Sequence, residues 1–305
     1  MKKSLYILLI ISATGFLASA QQLPQISQRM IDETTLNPGC YGTKEYTQIF
    51  LHHRTQWVGF ENAPSTQILS YDGKLQENMA LGAYVLNDIT GPTRRFSINA
   101  GYAYSFAFKD FMVSTGLALS AMQYGIDGTK ITLHENNDMA ITENMSEKAW
   151  KPDASFGAYL YNEKFYAGIS AMQLFASRIK LKYPDDIKAQ ISMVRHYYFT
   201  SGYNIDIDKF IIQPSLLFGT TITSPSQLDI NLKATYNQRF TGGVGYRIND
   251  ALTLLAGVKI KEQFFISYSF DIVTGGLRKY NSGSHEIVLL FMIHPKESQK
   301  LHSPD

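Results

Sequence analysis

Between about residue 44 and residue 293 the chain alternates apolar and polar residues in some fourteen short runs, and a period of two dictates strands rather than helices. In the run 94–108, Phe96, Ile98, Ala100, Tyr102, Tyr104, Phe106 and Phe108 fall on one face, and Ser97, Asn99, Gly101, Ala103, Ser105 and Ala107 on the other. In a later run, Leu228, Ile230, Leu232, Ala234 and Tyr236 alternate with Asp229, Asn231, Lys233 and Thr235. A face this apolar, repeated so often, is suited to lipid. The pattern predicts an all-β protein: a 14-stranded antiparallel transmembrane β-barrel of a bacterial outer membrane.

The expected strands are 44–53, 65–73, 79–87, 94–108, 111–124, 154–161, 165–174, 196–205, 210–220, 227–236, 239–247, 252–260, 264–272 and 285–293. Connection lengths support the count independently. Every connection from an even strand to an odd one, such as Lys109-Asp110 or Asn237-Gln238, is short and polar. The longest connections, 125–153, 175–195 and 273–284, all join an odd strand to an even one, and only 248–251 is short on that side. Outer-membrane barrels sort their loops this way, with short periplasmic turns and longer extracellular loops. A secreted sandwich has no reason to do so. A propeller would need a repeat of fixed period, which is absent.

The first twenty residues read as a secretory signal peptide. Lys2 and Lys3 supply the positive start, Leu5 to Leu17 the apolar run, and Ala18-Ser19-Ala20 the cleavage site. Three further stretches are expected: a periplasmic lead-in or lumen segment (21–43), the barrel (44–293) and a polar periplasmic tail (294–305). Without Lys2 and Lys3 the 28 basic residues become 26, equal to the 26 acidic ones, so nothing favours a nucleic-acid partner. Cys40 is the single cysteine, which excludes an internal disulfide and a cysteine-rich metal site.

No catalytic constellation stands out, and neither an enzyme nor a cofactor is expected. The seven histidines show no metalloprotease spacing. Thr241-Gly242-Gly243-Val244-Gly245 lies in a strand with no helix behind it, so it reads as small residues on a crowded wall rather than a phosphate cradle. The acidic stretch of Asp127, Glu135, Asp138, Glu143 and Glu147 matches no calcium-loop spacing and reads as a solvated loop.

The segment from Arg54 to Gln67 is different. It sets Arg54, Gln56, Trp57, Phe60 and Glu61 around Gly59 and Pro64, directly after the first strand. Two large aromatics are costly to leave in water, so they pack on something. That is either the barrel's own mouth or a partner.

At this segment the sequence resembles the PorP/SprF family of type IX secretion system membrane proteins. Pro24-Gln25-Ile26-Ser27-Gln28 resembles the family's opening motif, and Asn37-Pro38-Gly39 with Tyr41-Gly42 its next element. The stretch Arg54, Gln56, Trp57, Val58, Gly59, Phe60, Glu61, Ala63, Pro64, Thr66 and Gln67 is similar to its most characteristic region, and His285-Glu286-Ile287 to its closing strand. Gly39-Cys40-Tyr41 and a tail after the last strand depart from the family pattern. The resemblance implies a non-enzymatic outer-membrane component of a secretion and gliding apparatus. It would sit in outer-membrane lipid and bind periplasmic ring components or a secreted adhesin's C-terminal domain. A channel for small or hydrophobic solutes is the rival expectation.

Overall fold

The computed structural model describes residues 23–130, 146–180 and 190–295. The expected signal peptide (1–20), the loop acids Glu135, Asp138 and Glu143, and most of the polar tail lie outside these. The strands are β1 (Thr47–Thr55), β2 (Ser65–Gln76), β3 (Met79–Thr90), β4 (Thr93–Phe108), β5 (Phe111–Asp127), β6 (Ser146–Tyr161), β7 (Phe165–Met172), β8 (Arg178–Lys180) and β9 (Gln190–Ser192). They continue with β10 (His196–Tyr203), β11 (Ile205–Ile207), β12 (Phe210–Thr221), β13 (Gln227–Tyr236), β14 (Phe240–Arg247), β15 (Ala251–Ile260), β16 (Phe264–Val273) and β17 (Ser284–Ile293).

Each strand of the wall pairs antiparallel with its neighbours. β1 closes onto β17 from Thr47↔Ile293 to Thr55↔His285, and β10 pairs with both β7 and β12. β11 continues β10 beyond Asn204, so the wall is a closed ring of fourteen strand positions. β8 and β9 form a separate hairpin.

The wall is apolar outside and polar inside, the reverse of a water-soluble core. Leu119 on the outer face of β5 is 62% exposed, whereas the inward Ser114 is 0% exposed. On β4 the outward Ile98, Tyr102, Tyr104, Phe106 and Phe108 are exposed, and the inward Ser97, Asn99, Ala103 and Ser105 are buried. An outer surface this apolar matches hydrocarbon and would not persist in water. No helix among the described residues is long and apolar enough to cross a membrane; the crossing elements are strands.

All fourteen expected strands are present, but β1 runs 47–55 rather than 44–53, two connections contract and one loop holds an extra hairpin. β5 reaches Asp127 and β6 starts at Ser146, so the expected 125–153 loop shrinks by eleven residues. Pairing from Met122↔Lys151 to Asp127↔Ser146 holds the two strands together past the apolar band. The β3–β4 connection contracts to Gly91-Pro92, because Arg94 and Arg95 still pair with Ile89 and Asp88. The long-loop end therefore has a second short connection. Within 175–195 the β8–β9 hairpin brings Ile179 and Met193 against Met122 and Tyr124. That hairpin carries too short an alternation to be legible as strand.

Candidate functional site

Residues 23–43 lie inside the barrel. Ile26, Ser27, Gln28, Met30, Asp32, Thr34 and the whole of Leu36–Gly42 are buried. A segment rich in polar backbone can be buried only if its groups find partners, and here the wall supplies them.

Near the long-loop end, three separate sequence motifs meet in one cluster. Glu286 on β17 accepts hydrogen bonds from the backbone N–H of Ser27 (2.9 Å) and of Gln28 (2.8 Å). Arg54 on β1 donates from Nη1 to Glu286 Oε2 and from Nη2 to Asp271 Oδ2, each at 2.8 Å, and from Nη1 to Ser27 Oγ at 3.0 Å. Ser27 Oγ donates to Asp271 Oδ2 at 2.6 Å, and Thr253 Oγ1 to Asp271 Oδ1 at 2.7 Å. His52 Nε2 lies 2.9 Å from Glu286 Oε1. Arg247 on β14 closes the cluster with Asp229 at 3.3 Å and Asp250 at 3.0 Å. Arg54 is 2% exposed and Glu286 1%, so these charges depend on each other rather than on water.

Midway along the lumen, Asn37 caps a 3-10 turn over Pro38–Cys40 by accepting from Gly39 N at 2.8 Å. Its Nδ2 donates to the carbonyl of Ala158 on β6 at 3.2 Å. The wall beneath has no side chains. A Cβ on Gly116 would overlap the Pro38 carbonyl, one on Gly157 would overlap Asn37 Oδ1, and one on Gly168 would come 2.7 Å from Asn37 Nδ2. Three glycines on β5, β6 and β7 thus form a floor for the asparagine-proline element. On β14 the glycine-rich run clears space in the same way, and a Cβ on Gly243 would lie 2.9 Å from Met30 Sδ.

Toward the short-turn end, Asp32 binds Lys44 Nζ at 3.0 Å and Gln48 Nε2 at 2.7 Å. Asp72 accepts from Gly42 N at 3.1 Å. Below this lies a pocket of about 210 Å³ lined by Arg29, Glu33, Lys44, Tyr166 and Lys233. It is followed by a vestibule of about 810 Å³ whose rim includes Lys109, Asp110, Glu163, Gln238, Lys259 and Glu262. Cys40 is buried in the segment, and burial, reinforced by nearby Glu33, raises its thiol pKa well above the ordinary value.

The aromatic stretch divides between the lumen and the surface. Arg54 and Thr66 sit on strands and point inward; Thr66 Oγ1 donates to Asp88 Oδ1 at 2.7 Å. Asn37 and Pro38 are buried in the lumen. Gln56, Trp57 and Pro64 are half-buried, and Gly59, Phe60 and Glu61 are exposed. At the barrel mouth the loop lies against the neighbouring β16–β17 connection, where Val58 N donates to the Gly283 carbonyl (2.8 Å) and Ser282 N to the Val58 carbonyl (2.7 Å). Gln56 Nε2 reaches Gln25 Oε1 at 3.2 Å, which ties this loop to the lumen segment. Trp57 and Phe60 meet edge to face at 6.4 Å, with Phe60 38% exposed.

His52, Asp229, Arg247, Asp271 and the glycine floor escape a motif search because each is one ordinary position in an alternating strand. The signal that could find them is polar or missing side chains on the lumen face of consecutive strands. Among the described residues, no group of His, Cys, Asp and Glu is arranged to hold a metal ion.

Solved structures share the architecture. A FadL homologue of Pseudomonas aeruginosa aligns at TM-score 0.51 and 12% identity, over 86% of this chain and 93% of its own. A mutant of the Pseudomonas putida monoaromatic hydrocarbon channel TodX aligns at TM-score 0.50 and 8% identity, over 86% and 94%. At these identities the likeness shows the outer-membrane barrel fold alone. No curated protein matches the sequence. The family model for the type IX secretion system membrane protein PorP/SprF matches residues 18–291.

Proposed function

The chain belongs to the PorP/SprF family of type IX secretion system membrane proteins, and from that premise we propose that it is a non-enzymatic partner-binding component of that machine in the outer membrane. The family match over 18–291 carries the reading. In it, the signal peptide is cleaved near Ala20, the short turns face the periplasm and the long loops face outward. Two surfaces are free to bind. The periplasmic vestibule, with Lys109, Glu163 and Glu262 on its rim, receives ring components of the machine. The outer mouth, with Trp57, Gly59, Phe60 and Glu61, receives the C-terminal domain of a secreted adhesin. Trp57 and Phe60 offer the aromatic anchors on which interface energy concentrates.

The alternative is a channel for small or hydrophobic solutes, as TodX is a monoaromatic hydrocarbon channel. A lumen occupied by residues 23–43, held to the wall through the Glu286 and Asp72 carboxylates, opposes it. Affinity purification from detergent-solubilised outer membranes, beside conductance of the purified barrel, separates the two. Secretion-system proteins that co-purify with a barrel showing negligible conductance support the proposal. Steady solute flux with no such proteins overturns it.

A further inference from the structure

At the long-loop end the outer wall carries two basic side chains, Arg94 and Lys148, that pair with no acid among the described residues, directly above an aromatic pair. In the ladder, Arg94 of β4 lies opposite Gly125 of β5, and Gly125 lies opposite Lys148 of β6. All three belong to the outward-facing set. One step closer to the apolar band the corresponding row is Phe96, Gln123 and Trp150. Phe96 and Trp150 meet edge to face at 6.2 Å across Gln123, and Trp150 is 50% exposed. Below them the outward row continues with Ile98, Ala121 and Pro152. The wall therefore passes from aliphatic to aromatic to cationic over three rows, the order in which a barrel meets hydrocarbon, interface and headgroup.

The cationic row is built rather than scattered. Arg94 Nε donates to Asn87 Oδ1 at 2.7 Å, Asn87 Nδ2 donates to Gln67 Oε1 at 2.5 Å, and Gln67 Nε2 donates to Ser65 Oγ at 2.7 Å. This track fixes the guanidinium along the rim. The stem of Lys148 lies over Gly125, its Cγ 3.4 Å from where a Cβ would sit. A recess of about 270 Å³ opens here, lined by Ile89, Pro92, Arg94, Asp127, Lys130 and Lys148. Its single acid, Asp127, is engaged by its own turn, where Oδ1 accepts from Thr129 N at 3.2 Å and from Thr129 Oγ1 at 2.6 Å. Arg94 and Lys148 form no ion pair with a described residue, in contrast to Arg54, Arg95 and Arg247.

From this we infer that the outer wall at Arg94, Gly125 and Lys148 is a headgroup site for a phosphate-bearing glycolipid of the outer leaflet. Arginine takes a phosphate through a planar fork and lysine as a point charge, and together they suit a lipid phosphate at the level of the aromatic belt. Asn87 and Gln67, in the neighbouring row with Phe96, add groups that suit sugar hydroxyls. The acyl chains would lie along Ile98 and Leu119, both exposed on the wall below. The inference rests on the outer-membrane orientation given above and not on any secretion partner.

The test uses the purified full-length barrel in a non-ionic detergent, with native mass spectrometry as the readout. The probes are bisphosphorylated lipid A, its dephosphorylated form and inorganic phosphate. The result expected is an adduct with bisphosphorylated lipid A that weakens at least about tenfold in the Arg94→Ala, Lys148→Ala double variant. It is retained by a Lys164→Ala, Lys209→Ala control at the opposite rim. Should the alanine variant fail to give a heat-modifiable barrel, Arg94→Gln with Lys148→Gln removes charge at nearly constant size. Equal retention by the charge-free variant overturns the inference. So does equal binding of dephosphorylated lipid A, or inorganic phosphate binding as tightly as the lipid. Since no secretion protein is present, failure here leaves the proposed secretion role untouched.

Discussion

Arg54 on the first strand and Glu286 on the last lie directly opposite in the ladder that closes the barrel, and their side chains pair at 2.8 Å inside it. The same carboxylate binds the backbone of Ser27 and Gln28. One ion pair thus joins the barrel seam to the segment that fills the lumen, and three stretches far apart in sequence become a single structural unit.

Removing one partner of a buried pair leaves a charge without compensation, at a cost of about 3–5 kcal/mol. Arg54→Ala and Glu286→Ala should each lower the temperature at which the folded band is lost on unheated electrophoresis. Because the two side chains share one network, the double variant should lose less than the sum of the singles. Strict additivity would show that the pair does not hold the seam.

The glycine floor admits a sharper test because Cys40 reports on it. The thiol is buried at the end of the Pro38–Cys40 turn, so a maleimide should leave it unmodified in the folded wild type. Gly157→Val or Gly116→Val places side-chain atoms where Asn37 and Pro38 sit. Each should make Cys40 labelling at least about tenfold faster, the equivalent of about 1.4 kcal/mol of easier opening, while the barrel remains heat-modifiable. Unchanged labelling would mean that the lumen segment is not seated on that floor.

Trp57 and Phe60 project from a loop already held by backbone bonds to Gly283 and Ser282. Trp57→Ser with Phe60→Ser should therefore change barrel stability by only about 0.5 kcal/mol, the range of surface substitutions. It should still weaken capture of the secreted partner by tenfold or more, as loss of an aromatic anchor does. A variant that loses stability but keeps its partner would assign the loop to packing alone.

Orientation is separately measurable. In a Cys40→Ser background, Glu61→Cys in the aromatic loop should react with a membrane-impermeant maleimide on intact cells. Glu163→Cys in the β6–β7 turn should react only after the outer membrane is opened. The reverse pattern would invert the barrel and remove the basis for both proposed binding faces.

The wall was legible because each strand declares itself locally: Phe96 to Phe108 alternate without reference to any other strand. Strand ends were less legible. Where β5 and β6 rise beyond the apolar band, Gln123, Gly125, Lys148 and Trp150 no longer alternate by polarity, although they remain paired. The PQISQ stretch, Arg54 and Glu286 were visible as motifs, but their meeting was not, since contact between residues 27, 54 and 286 is a consequence of closure. Arg54 stood beside the exposed aromatics in the sequence and turned out to face the lumen, because β1 runs to Thr55, past its expected end, whereas Thr66 already lay in an expected strand.

The central claim is that this barrel works by binding proteins of the secretion machine, and site-specific photocrosslinking in cells tests it most directly. A photoreactive residue at Phe60 should form an adduct with a secreted protein, and one at Glu163 with a periplasmic component of the machine. The same residue at the lipid-facing Leu119 should capture neither. Adducts to no secretion-system protein at Phe60 and Glu163, in cells where the barrel is folded and abundant, would contradict the account.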